Sequence, residues 1–237
     1  METKKYKIRK DLSYTFDGHK LYRVEALKDF GNVKKGSVGG FIEKEDNLSQ
    51  EGNCWIFLDA KVYGNAKVFG NAIINGFAQV CDNSVVFDNA QIRGYSKVKN
   101  NARVFNNARM EGCSIVKDNA QVYGNSLLLD NAQVCENAHL RGTCLVRDNA
   151  IVCGDVDIYD FVHFNSDAKI MSPADYYVGH ENWEGGHTFV YTRSNNQWST
   201  LFINGTKEEI LEFAKNRGEK SYNFYKNVIE FVEKIYS

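Results

Sequence analysis

The side chains best suited to chemistry in this sequence are two histidines in the middle of the chain, His139 and His163. An imidazole can accept a proton near neutral pH and so act as a general base. His139 is the better candidate, because Arg141 follows two residues later and would lie on the same face of a strand. Together they could hold a phosphate or a carboxylate. The alternative interpretation is a solvated surface histidine without a role.

The cysteines show no metal-binding pattern. None belongs to a CxxC pair, and their spacing matches no zinc site. Cys135 and Cys153 are expected one strand apart, but their side chains would run parallel, which suits a disulfide poorly. In a reducing compartment we expect free thiols. The six are Cys54, Cys81, Cys113, Cys135, Cys144 and Cys153.

Other reactive patterns are weak. His180 and His187 flank Trp183 in the segment GHENWEGGH, which offers too few ligands for a metal site. No phosphate-binding glycine loop, nucleophile elbow or carboxylate pair stands out. The formal net charge is −1 and the basic residues are scattered, so nucleic acid is an improbable partner. We expect neither a metal nor a membrane span, and the N-terminus favours a cytoplasmic protein.

These residues sit within an internal repeat. Residues 59–172 divide into nineteen consecutive units of six, such as NAKVFG and NAQVYG. The second position is mostly alanine, the fourth is always apolar, and the sixth is mostly Gly, Asp or Asn. The fourth side chain is predicted to point into a core, the second to fill a tight corner, and the sixth to adopt left-handed backbone. The asparagines that open most units are predicted to form ladders.

Three units would make one triangular coil of 18 residues. Residues 54–171 then form about six coils with strands ~4.8 Å apart. The pattern resembles the left-handed parallel β-helix of hexapeptide-repeat proteins, and this resemblance supplies the left hand. The flanks LYRVEALKDFGNVKKGSVGGFIEKEDNLSQEGNCWIF and WEGGHTFVYTRSNNQWSTLFINGTKEEILEFA extend the resemblance to phage- and prophage-encoded members, often described as transferases.

The expected fold is therefore mainly β, with a cap at each end of the solenoid. Residues 1–53 should form an N-terminal β-hairpin cap, and residues 172–237 a C-terminal hairpin plus two helices. The C-terminal strands are expected at 188–192 and 197–203, and the helices at 207–216 and 222–236. A capping box of Thr206 and Glu209 marks the first helix. The second helix has an apolar stripe expected to be core: Tyr225, Val228, Ile229, Val232 and Ile235.

Residues 18 apart should stack on one outer face. One such column carries aromatic rings and predicts a contact surface of a homo-oligomer, either a dimer or a trimer, or a surface covered by the C-terminal segment. Ring stacking that only stabilises the sheet is the alternative. The interface candidates are Phe69, Phe87, Phe105, Tyr123 and Tyr159.

The resemblance leaves two functions open. Many hexapeptide-repeat proteins are acyl-CoA-dependent acyltransferases, with a histidine base between subunits and a projecting loop. The unbroken register leaves no room for that loop, which favours a non-catalytic, phage-encoded scaffold without a cofactor, in the host cytoplasm. This scaffold would grip a host protein or sequester a small anionic, nucleotide-like ligand. The alternative is an acyltransferase that uses acetyl-CoA, with His139 as base. The ligand-binding candidates are His139, Arg141, Tyr123 and Arg103.

Overall fold

The N-terminal part is an antiparallel sheet that leads into the repeat. The computed structural model describes residues 4–159, 161–180, 188–200 and 202–236. Strands β1 (Tyr6–Phe16) and β2 (His19–Ala26) form a hairpin, and β3 (Val38–Ile42) pairs antiparallel with β2. The turn contains Gly18 at φ 80°, a left-handed conformation that glycine adopts without strain. The predicted N-terminal hairpin is present, with longer strands than expected.

The repeat forms twenty two-residue strands. They are β4 (Trp55–Ile56), β5 (Lys61–Val62), β6 (Lys67–Val68), β7 (Ile73–Ile74), β8 (Gln79–Val80), β9 (Val85–Val86), β10 (Gln91–Ile92), β11 (Lys97–Val98), β12 (Arg103–Val104), β13 (Arg109–Met110), β14 (Ile115–Val116), β15 (Gln121–Val122), β16 (Leu127–Leu128), β17 (Gln133–Val134), β18 (His139–Leu140), β19 (Leu145–Val146), β20 (Ile151–Val152), β21 (Asp157–Ile158), β22 (His163–Phe164) and β23 (Lys169–Ile170).

Every third strand pairs in parallel, which confirms the solenoid. Three stacks result: β4 to β22 in a seven-stranded sheet, β6 to β21 in a six-stranded sheet, and β5 to β23 continuing the N-terminal sheet. The seven-stranded sheet gives about seven coils rather than the predicted six. The extra coil begins before Cys54, because β3 pairs in parallel with β5. The left hand that the resemblance implies stays a prediction.

The interior matches the repeat rule. Fourth-position residues such as Val104, Val122 and Leu140 are fully buried, as are second-position alanines such as Ala120. Removal of this apolar surface from water stabilises the coil. Serines replace alanine in several units and stay buried by bonding locally: the Ser84 hydroxyl donates to the Cys81 carbonyl at 2.6 Å.

The corners of the coil confirm the predicted left-handed backbone at the sixth position and the predicted asparagine ladders. Sixth-position residues take positive φ, for example Asp88 at 55° and Asn106 at 54°. Their neighbours form amide ladders, in which the Asn83 side chain donates to Asn101 at 3.2 Å and Asn101 to Asn119 at 3.1 Å. Each amide satisfies the next, so the stack fixes the coil-to-coil register with polar side chains outside the core.

The C-terminal cap combines a sheet with two helices. The strands are β24 (Tyr176–His180), β25 (Thr188–Thr192), β26 (Gln197–Thr200) and β27 (Asn204–Gly205), and the helices are α1 (Lys207–Asn216) and α2 (Glu219–Tyr236). Short 3₁₀ turns cover Glu45–Asn47 and Pro173–Asp175. The capping box at α1 is confirmed. Strand β26 ends before the expected residue 203, and β24 and β27 were not predicted.

The cap has its own core and also contacts the solenoid. Tyr225, Ile229 and Val232 of α2 are buried, but Ile235 is 52% exposed, so the predicted stripe ends one turn early. The buried Asn165 amide donates to the Ser199 hydroxyl at 3.1 Å and joins the cap to the rod. In the described part of the chain, no helix is long and apolar enough to cross a membrane.

Candidate functional site

The six-stranded sheet presents the predicted aromatic column, and we call its outer surface the ladder face. The rings of Phe69, Phe87, Phe105 and Tyr123 stack with centroids 4.9, 4.8 and 4.6 Å apart and planes within 14° of parallel. This spacing follows the strand spacing, so each coil adds one ring. The rings remain partly open to solvent, and Phe69 is 38% exposed. Their predicted role as an oligomer interface stays a prediction.

His139 lies on this face near its C-terminal end. Strand β18 places it between Gln121 and Asp157 of the neighbouring strands. Its imidazole points outward and is half-buried. The ladder hydrogen bonds on both sides of β18 fix the backbone that carries His139.

Arg141 is paired rather than free. Its Nε and Nη2 atoms donate to the two carboxylate oxygens of Asp157, both at 2.9 Å, and its guanidinium lies 5.0 Å from the Tyr159 ring centroid. The Asp157 carboxylate raises the pKa of Arg141. The expected anion site at His139 and Arg141 is therefore occupied by the protein's own carboxylate. Because the pair is solvent-exposed, an incoming phosphate would compete with Asp157 for the arginine.

A cavity of about 340 Å³ opens beside this cluster, where the C-terminal sheet meets the last coils. Tyr159 forms one wall, and Tyr176, Tyr177 and His180 of β24 form another. Burial raises the pKa of Tyr176. Tyr176 was not predicted as a site residue, and His180 was weighed only as a metal ligand, because β24 itself was not predicted. The aromatic composition of residues 176–180 was the available signal.

The remaining ligand candidates lie along the ladder. Tyr123 is the last ring of the stack and is one strand from Arg141. Arg103 lies two strands from His139, about 10 Å away. Its guanidinium contacts the rings of Phe87 and Phe105, with centroids 5.5 and 5.8 Å away. The structure thus brings His139, Arg141 and Tyr123 together but places Arg103 in the middle of the rod.

The second histidine belongs to a different face. His163 lies on β22 of the seven-stranded sheet, where the C-terminal sheet packs on the rod. Its ring centroid is 5.0 Å from that of Phe161. Burial lowers the pKa of His163, and a hydrogen bond with the Thr200 backbone opposes this shift. A neutral, half-buried imidazole at a contact between two substructures is best explained by packing.

The cysteine prediction needs one correction. The thiols of Cys135 and Cys153 lie in contact on adjacent coils, with Cα atoms 4.7 Å apart, so these two residues are placed to form a disulfide. We expected parallel side chains to disfavour this bridge, but the strand spacing falls inside the Cα separation that disulfides tolerate. Cys54, Cys81, Cys113 and Cys144 are free thiols. Within the described ranges no three metal-ligating side chains cluster. Trp183 and His187 lie outside those ranges.

Comparison with known proteins gives a partial match. No family model matches the chain. A protein of Escherichia coli (strain K12) named "Uncharacterized acetyltransferase YdcK" is 37% identical over 81 residues, which cover 31% of this chain and 25% of that protein. The matched part thus spans about a quarter of the relative's length. The similarity and the parallel solenoid together fit the hexapeptide-repeat β-helix type.

Proposed function

We propose that the protein is an acyl-CoA-dependent acyltransferase in which His139 is the general base. The observation that carries this proposal is the outward, half-buried imidazole of His139 on the strand next to Asp157, whose carboxylate pairs with Arg141. The name of the partial relative supports the same class. This name supports an acyltransferase better than it supports the non-catalytic scaffold, which the lack of a projecting loop in the sequence favoured.

In this reaction His139 would take the proton from an acceptor amine or hydroxyl. The acceptor attacks the thioester carbonyl carbon, its new bond to the acyl group forms, and the carbon–sulfur bond breaks. The coenzyme A thiolate leaves and receives the proton from the imidazolium, so both atoms and charge balance. Arg141 would exchange Asp157 for a phosphate of the donor, which the exposure of that ion pair permits.

The site would be completed by a second copy of the chain. The ladder face is flat, and in the coils that the structure describes between residues 54 and 159 no loop projects to enclose a substrate. Stacked, partly exposed rings along four coils offer an apolar surface for such a copy. His139 would then lie at the edge of the contact, where a donor can enter between subunits.

A coupled assay tests the proposal. Purified protein is incubated with acetyl-CoA and a panel of primary amines and sugar hydroxyls, and thiol release is followed with a disulfide dye. We expect release with at least one acceptor, and His139→Ala should reduce it at least about 100-fold. The control His163→Ala should keep the activity. Equal activity of His139→Ala and the unmodified protein would contradict the proposal.

A second candidate is a non-catalytic binding protein, which the lack of a projecting loop in the described coils favours. Such a protein, of phage origin, would sequester an anionic nucleotide or hold a host protein on the ladder face. A thermal-shift screen separates the two candidates. Stabilisation by acetyl-CoA supports the enzyme, and stabilisation by nucleotides alone supports sequestration.

A further inference from the structure

The aromatic ladder stops at Phe69, where the preceding coil departs from the six-residue period. Leu48 forms a parallel bridge with Val68, which lies 20 residues later instead of the usual 18. The next residue, Ser49, therefore lies opposite Phe69. A serine stands where the repeat would otherwise continue the column of rings. Phe69 stacks on Phe87 with one face, and the serine side chain is too small to cover the other.

Two additional residues form the departure. From Asn53 onward, equivalent residues of neighbouring coils are again 18 positions apart, because the Asn53 side-chain amide donates to Asn71. Gln50 and Glu51 are therefore the residues that lengthen this coil, directly after Ser49. Positions where a repeat protein breaks its own local rule are often functional positions.

A cavity of about 660 Å³ lies at this point, and it is a suitable size for a small molecule. The ring of Phe69 lines it together with Ser49, Asp46, Glu51 and Lys67. The carboxylates of Asp46 and Glu51 are exposed and have no ion-pair partner in the described part of the chain. An aromatic face and two unpaired carboxylates together favour a planar cation.

The lengthened segment is held rigidly from inside. The buried ammonium of Lys5 donates to the carbonyl oxygens of Glu51 at 3.1 Å and Cys54 at 3.1 Å. The Glu51 backbone N–H donates to the Ser49 hydroxyl at 3.0 Å. The backbone that carries the Glu51 carboxylate is thus fixed before any ligand arrives, which reduces the entropic cost of binding.

We propose that this cavity binds a small guanidinium compound of the arginine type. The guanidinium stacks on Phe69 as the next member of the ladder and donates hydrogen bonds to Asp46 and Glu51. Lys67 provides a positive charge for the carboxylate of the same ligand. The ladder face already uses this contact, because Arg103 lies over Phe87 and Phe105. The site is four strands from His139, about 19 Å along the ladder face.

Calorimetric titration with L-arginine and L-citrulline tests the charge requirement. Citrulline has the same shape but a neutral urea group, so we expect arginine to bind at least about tenfold more tightly. Agmatine, which lacks the carboxylate, should bind more weakly than arginine but more tightly than citrulline. Equal affinity for arginine and citrulline would overturn the proposal.

Two variants test the position. Ser49→Phe supplies the missing ring and should abolish arginine binding, and Phe69→Leu should weaken it about tenfold. Phe77→Leu removes a ring that stacks elsewhere, on Tyr95, and should leave arginine affinity unaltered. If Ser49→Phe does not fold, Phe69→Leu decides. Undiminished binding by Phe69→Leu would show that the ligand lies elsewhere.

Discussion

At the scale of single residues, Arg141 shows how one partner changes the chemistry expected of a side chain. The sequence places it beside His139, where it looks like an anion-binding group. In the structure its donors are directed to Asp157, one coil further on. The offset of 18 predicts that His139 and Asp157 are neighbours. It does not predict which of them the arginine contacts, because that depends on the reach and rotamer of a long side chain.

His163 makes stability depend on pH. Burial lowers its pKa, whereas the unfolded chain takes up the proton near the ordinary value of 6.5. Between these two pKa values the unfolded state binds more protons, so stability rises with pH and falls as the pH drops below about 6.5. We expect the free energy of unfolding, measured by urea denaturation between pH 7.5 and 5, to change less with pH in His163→Gln than in the unmodified protein. A parallel loss of stability in both proteins would assign the effect to other groups.

At the scale of elements, we expect the solenoid to tolerate an inserted residue only in the coil that already departs from the 18-residue period. One glycine inserted after Asp118 would turn every later inward residue toward a corner or the solvent. We expect loss of the cooperative unfolding transition in circular dichroism. The matched insertion after Gln50, in the segment that already contains two extra residues, should keep that transition. Equal damage by the two insertions would mean that the first coil is as strict as the others.

Sequence periodicity predicted the strands, the buried positions and the stacked rings, because each depends on local spacing repeated many times. The prediction was wrong in the segments that do not follow the six-residue period. The first coil was placed too late, since its two extra residues hide the repeat between Leu48 and Ile56. Strand β24 was missed, although it pairs antiparallel with β25 across a connection of only seven residues. The cavity beside Tyr159 depends on that packing, so it could not be predicted from the sequence.

At the scale of the whole molecule, the ladder face should control assembly. Phe105→Glu places a charge in the middle of the stacked rings, where it would be desolvated on contact with a second copy. We expect this variant to sediment as a monomer and the unmodified protein as a dimer or trimer. Phe77→Glu adds the same charge beside Tyr95, off the ladder face, and should leave the assembly intact. A monomeric unmodified protein would contradict the interface.

The antiparallel hairpin at the front of the rod also has a consequence for the growth of larger particles. Strand β1 is the outermost strand of the ten-stranded sheet, and its middle carries Arg9, Lys10 and Asp11 at a register shift against β2. Charges and irregular pairing make such a border a poor template for another chain. A chain cut before β3 would instead expose the hydrogen-bonding edge of β3 that now pairs with β2, and we expect rods of that kind to associate through this end.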